Sequence, residues 1–116
     1  MIHLIQKHWI HLTIIILVSI ATLSLWPAAH LPIVPGTDKT HHFIAYGSLM
    51  FPTALKKPKY ILTIAISFII FSGAIELIQP YVNRYGEWLD MVANTLGIIC
   101  GWLLAKITLS FSQKEL

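Results

Sequence analysis

Charge is scarce in this 116-residue chain. Asp, Glu, Lys and Arg make up only 11% of it, against about 25% of a typical soluble domain. Hydrophobic residues reach 56% and the mean hydropathy is +0.72. A soluble domain this small has too little interior to hide so much apolar surface, so a single membrane domain over residues 1–116 is expected. Cysteine is equally scarce. Cys100 stands alone in an apolar run, which excludes an internal disulfide and a Cys/His zinc module. It is expected to be a small packing residue. There is no HExxH pattern, and neither a metal nor a cofactor is expected. The formal net charge of +3 is too small and too scattered for a nucleic-acid binder. It suits Lys and Arg at the cytoplasmic edges of a membrane.

What is present is a set of apolar runs separated by turn-forming stretches. Residues 1–8 are short and polar. Residues 9–26 carry no formal charge and have Trp9 and Trp26 at their ends, as an interfacial belt would. A signal peptide is the rival reading, with Ala28-Ala29 as its end. The apolar run is longer than the roughly 7–15 residues such a peptide uses. Residues 27–36 contain three prolines and end in Gly36, so they read as a loop. Thr37 or Asp38 can cap the next helix, over residues 39–55, with a kink or early end at Pro52. Lys56, Lys57 and Lys59 form the basic connection. The third span covers 60–79 and stops at Pro80. An aromatic-rimmed loop follows, then a fourth span over 89–111. The expected fold is therefore all-α, a bundle of four transmembrane helices. The Lys-rich connection, with Lys7, Lys106 and Lys114, puts both termini in the cytoplasm.

One stretch organises the rest, residues 87–101, EWLDMVANTLGIICG. As a helix it sets Asp90, Asn94, Gly97 and Gly101 on one face. Gly97 and Gly101 form a GxxxG pair, which permits close approach of a second helix, expected near Ala45 and Gly47. Asp90 and Asn94 need polar partners. Asp38, Lys39, His42, Glu76, Gln79 and Arg84 are the candidates. Asp38 and Asp90 also have an ordinary reading, as carboxylates at helix N-termini. Glu76 does not. It sits near a helix C-terminus, where the dipole disfavours an anion, so it must be paired, protonated or at the water edge. His42 shares a stripe with Asp38 and Tyr46, whereas the adjacent His41 points about 100° away. Glu76 is expected to share one group with Asp90 and a cation from His42, Lys39 or Arg84.

Several of these residues also carry a resemblance. DKTHHFIAYGSL followed by ELIQPYVNRYGEWLDMVANTLGIICG resembles the VanZ-like family of small membrane proteins. The resemblance rests on Asp38-Lys39, His42, Tyr46-Gly47, Glu76, Gln79, Arg84, Asp90, Asn94, Gly97 and Gly101, and it spans about residues 38–104. It implies a role in the cell envelope. The family takes its name from a protein linked to resistance to teicoplanin, a lipid-bearing glycopeptide.

The leading functional expectation is an outward-facing polar cluster in the inner membrane that binds an amphipathic envelope molecule. A lipid-linked cell-wall precursor or a lipoglycopeptide would fit, alongside membrane lipids. The alternatives are a membrane-embedded hydrolase acting on a lipid-linked substrate, and a structural subunit whose cluster only stabilises the bundle.

Overall fold

A computed structural model describes residues 1–26, 38–82 and 88–114 of the chain, with backbone only at 38, 113 and 114. Every regular element among them is helical. α1 (Ile2–Lys7) and α2 (Trp9–Leu25) come first, then α3 (Asp38–Lys56), α4 (Ile61–Ile78), a 3-10 turn (Gln79–Val82) and α5 (Trp88–Lys114). The proline-rich loop 27–36, the cap at Thr37 and the loop residues 83–87 with Arg84 lie outside the described residues.

α3 is the centre. Its most extensive packing is against α5, with α2 and α1 on its other sides. Tyr46, Leu49, Met50 and Leu55 of α3 are fully buried, as are Ile98 and Ala105 of α5. Tyr46, Leu49 and Met50 fall on one face of α3, as Ile98 and Ala105 do on α5, while Leu55 near the end of α3 is buried on another side. The other faces are apolar too. Leu62, Ile66, Ile70 and Leu77 of α4 are exposed, as are Leu96, Ile99, Leu103 and Ile107 of α5. Stripes of that kind on a water-facing monomer would be an aggregation surface; on a membrane protein they are the lipid face. Residues Ile61–Val82 and Trp88–Ser112 are long and apolar enough to cross a membrane, and Trp9–Leu25 is a shorter apolar helix of 17 residues.

The GxxxG pair works as a close-approach device. A Cβ added at Gly97 would overlap the carbonyl oxygen of Phe43, and one at Gly101 would overlap that of Gly47. The partner is α3, at Phe43 and Gly47 rather than at Ala45. Gly47 itself lies 3.2 Å, from an added Cβ, to the Gly97 carbonyl oxygen. Two backbones this near gain dispersion and weak Cα–H···O contacts that larger residues would forbid.

Four local expectations are corrected. Residues 2–7 form a helix, because Ile2 and Ile5 pack on the core and Gln6 Nε2 donates to the Leu55 carbonyl oxygen at 2.7 Å, an acceptor left over at the end of α3. Pro52 does not stop α3, which runs on to Lys56. Its end comes at Lys57, in the left-handed region at φ 55, with Pro58 after it. Pro80 does not begin a loop either. It lies in the 3-10 turn, where the first-turn N–H it lacks would have no intrahelical partner in any case. Finally, Cys100 is exposed. It sits about 60° round the helix from Gly97 and lines a shallow apolar groove with Phe43, Ile44 and Leu104.

Candidate functional site

The polar residues gather at one end of the bundle. α3 starts there and α4 finishes there, because the short connections make neighbouring helices antiparallel. α5 starts there again. Three chain segments far apart in sequence thus bring their polar turns to one level.

Asp90 is the hub. Its side chain is 2% exposed, and it opens α5, where a carboxylate faces the positive end of the helix dipole. Lys39 Nζ donates to Asp90 Oδ1 at 3.3 Å, and the Lys39 side chain is 44% exposed. His42 Nε2 lies 3.7 Å from Asp90 Oδ2 with its side chain 11% exposed. That is beyond a direct hydrogen bond, so the contact is one of proximity. Glu76, from the last turn of α4, completes the group. One ligand atom from each of His42, Glu76 and Asp90 can be chosen so that all three lie within 4.8 Å of one another. The dipole at the end of α4 disfavours an anion at Glu76, and the neighbouring His42 imidazole is a group that can offset it.

The second turn of each element adds neutral polar groups. Tyr46, one turn along α3 from His42, is buried, and Asn94, one turn along α5 from Asp90, is 1% exposed. Asn94 Oδ1 has no hydrogen-bond partner among the described residues. Gln79 is also 1% exposed. Its Nε2 donates to the Ser24 carbonyl oxygen of α2 at 3.1 Å, so it ties the end of α4 to the end of α2. Its Oε1 has no hydrogen-bond partner among the described residues.

The structure therefore brings together Lys39, His42, Glu76 and Asp90, with Tyr46 and Asn94 beneath them on the same helices. Gly47, Gly97 and Gly101 form the packed seam that continues from this polar end. The Asp38 side chain and Arg84 are outside the described residues. What sequence reasoning missed is the tie from Gln79 to Ser24, since nothing in a serine carbonyl announces a partner. The expected grouping of Glu76 and Asp90 with His42 is present, and one ligand atom from each lies within 4.8 Å of the others. The only signal for that was the depth each shares at its own helix end.

A family model described as VanZ/LLP1 matches residues 2–109. No curated protein and no solved structure matches the chain.

Proposed function

The chain belongs to the VanZ/LLP1 family, and on that premise we propose that it is a multi-pass inner-membrane protein that holds the polar head of an amphipathic envelope molecule. The observation that carries the reading is the convergence of Lys39, His42, Glu76 and Asp90 from three helices onto one spot. A charged group costs several kcal/mol in hydrocarbon unless it is paired or faces water. Four ionisable side chains at one level mark a place where polar chemistry meets the lipid edge. Lys39 forms the half-exposed rim and Asp90 the buried floor. Exposed apolar stripes on α4 and α5 run away from that spot, a path along which an acyl chain can lie.

All four long helices cross the membrane in this reading. α3 contributes its packed middle to the core and its polar first turn to the interface. Lys56, Lys57 and Lys59 stand at the opposite end of α3 from Lys39 and His42. The positive-inside rule places them in the cytoplasm with both termini, so the cluster faces outwards. An outward site of this chemistry suits a lipid-linked cell-wall precursor, or a lipoglycopeptide such as teicoplanin. A link to resistance against such antibiotics follows from the second choice.

Native mass spectrometry of gently purified protein tests the reading. A co-purifying lipid with a polar envelope head group is expected, with loss of that lipid in Lys39→Ala and Asp90→Asn at unchanged monomer folding. A lipid-free wild type, or lipid retained equally by both variants, leaves the cluster as a brace for the bundle. Hydrolysis of a lipid-linked substrate is the second reading. It is favoured by the nearness of an imidazole to two carboxylates, which are groups suited to general acid–base work. Release of a product from a lipid phosphate would distinguish it.

A further inference from the structure

We propose that His42, Glu76 and Asp90 form a binding site for one divalent first-row metal ion, Zn2+ or Mn2+. The site uses the same side chains as the head-group reading but does not require it. Geometry comes first. Zn2+ binds imidazole nitrogen at about 2.0–2.1 Å and carboxylate oxygen at about 2.0–2.2 Å in a tetrahedral set, so two ligands of one ion stand about 3.4 Å apart. The three candidate ligand atoms already lie within 4.8 Å of one another, and His42 Nε2 to Asp90 Oδ2 is 3.7 Å. Side-chain rotation that brings the widest-spaced of these atoms about 1 Å closer closes the set. One ligand comes from each of α3, α4 and α5, so packing holds them in place and no short sequence motif records them.

The second argument is the imbalance of donors and acceptors. An ionised carboxylate only accepts hydrogen bonds, and this group has two, one of which, Asp90, accepts from Lys39. Two further buried oxygens, Asn94 Oδ1 and Gln79 Oε1, have no hydrogen-bond partner among the described residues. Asn94 follows Asp90 at i+4, and Gln79 follows Glu76 at i+3, so each stands beside a carboxylate on its own chain segment. Buried acceptors without donors are costly. A metal ion, with the water it carries, is the species that satisfies an acceptor-rich pocket.

The third argument concerns ligand type. One imidazole with two carboxylates suits borderline divalent ions. A thiolate set would favour softer metals and an all-oxygen set Mg2+ or Ca2+. Lys39 is no obstacle. Its side chain is 44% exposed, so its ammonium group can withdraw to water and leave Asp90 Oδ1 to the metal. It then stands at the rim beside any anionic group the metal attracts.

The test is metal uptake by detergent-purified protein stripped with EDTA. His3, His8 and His11 are exposed and would bind metal adventitiously, so all three are replaced by Ala throughout. Zn2+ uptake is followed by calorimetry and Mn2+ uptake by electron paramagnetic resonance. A single tight equivalent is expected. His42→Ala, Glu76→Gln and Asp90→Asn should each weaken it roughly tenfold or more, and Lys39→Ala should retain it. Should those ligand variants misfold, Mn2+ added to the protein with its ligands intact must broaden the His42 imidazole signals before those of His41. No uptake, uptake indifferent to the ligand substitutions, or broadening that spares His42 overturns the site. Metal bound without retained lipid supports the site and counts against the head-group reading. Lipid retained by protein that takes up no metal does the reverse.

Discussion

Gly47 of α3 and Gly97 of α5 meet backbone to backbone, with only 3.2 Å between the Gly97 carbonyl oxygen and the position a Gly47 Cβ would take. That approach fixes how close the two central helices stand, and with it the level at which His42 meets Asp90. At Gly97 and Gly101 there is no room at all, because the obstructing atoms are backbone carbonyl oxygens of α3 and cannot rotate away.

Overpacking this seam should therefore destabilise the protein more than a lipid-facing change. Gly97→Ala and Gly101→Ala are expected to cost about 1–3 kcal/mol each, and Leu at either position more. Gly73→Ala should be milder, since the atom it would press is the flexible Met91 methyl, 3.3 Å away. Melting in detergent decides it. A Gly97→Ala protein with an unchanged midpoint would show that the seam has slack.

The two contacts of Asp90 should differ in strength. The Lys39 partner is half in water, and such pairs couple by about 0.2–1 kcal/mol. His42 is mostly buried, where solvent screens less, so its coupling to Asp90 should exceed that of Lys39. Double-mutant cycles in EDTA, with alanine at Asp90 and at each partner, measure both couplings. Equal couplings, or a larger one for Lys39, would contradict this ranking.

Lys57 holds a left-handed conformation at φ 55, which costs an L-residue roughly 1–2 kcal/mol. Its N–H bonds the Thr53 carbonyl oxygen at 3.0 Å, a bond any residue can make. Lys57→Gly should therefore stabilise the protein, by about 0.5–1 kcal/mol after the extra entropy glycine loses on folding. Equilibrium unfolding of the pair of proteins gives the sign. A destabilised glycine variant would mean that the lysine side chain does more at the membrane edge than its backbone costs.

Orientation can be read chemically. Asn83→Cys in a Cys100→Ser background should react with an impermeant thiol reagent in intact cells. The exposed Cys100 has to be removed first, because it would add background. Labelling that waits for lysis would put the cluster on the cytoplasmic side and remove access to an external ligand.

Composition alone determined the class of this protein. Few charges, long apolar runs and their punctuation by proline and lysine are properties of the chain that no folding changes. Helix positions followed to within a residue or two for the long helices, apart from α5, which runs three residues past its expected end to Lys114, because apolar runs of that length satisfy their backbone hydrogen bonds best within a helix. The small-residue face of α5 was legible as well, since Gly97 and Gly101 at i and i+4 show one surface wherever the helix packs. The rest was decided by packing. The helix over residues 2–7 forms against the end of α3, too short to be stable alone. Pro52 sits inside a helix that its buried surroundings hold intact. Cys100 turned outwards because Gly97 and Gly101, not its neighbours, set the contact face. The site shows the same division. That Asp90, Glu76 and His42 needed partners follows from the cost of charge in an apolar run. That they come within 4.8 Å of one another follows from the closeness of α3 and α5 and the antiparallel return of α4, and distances between helices are written in no local stretch of sequence.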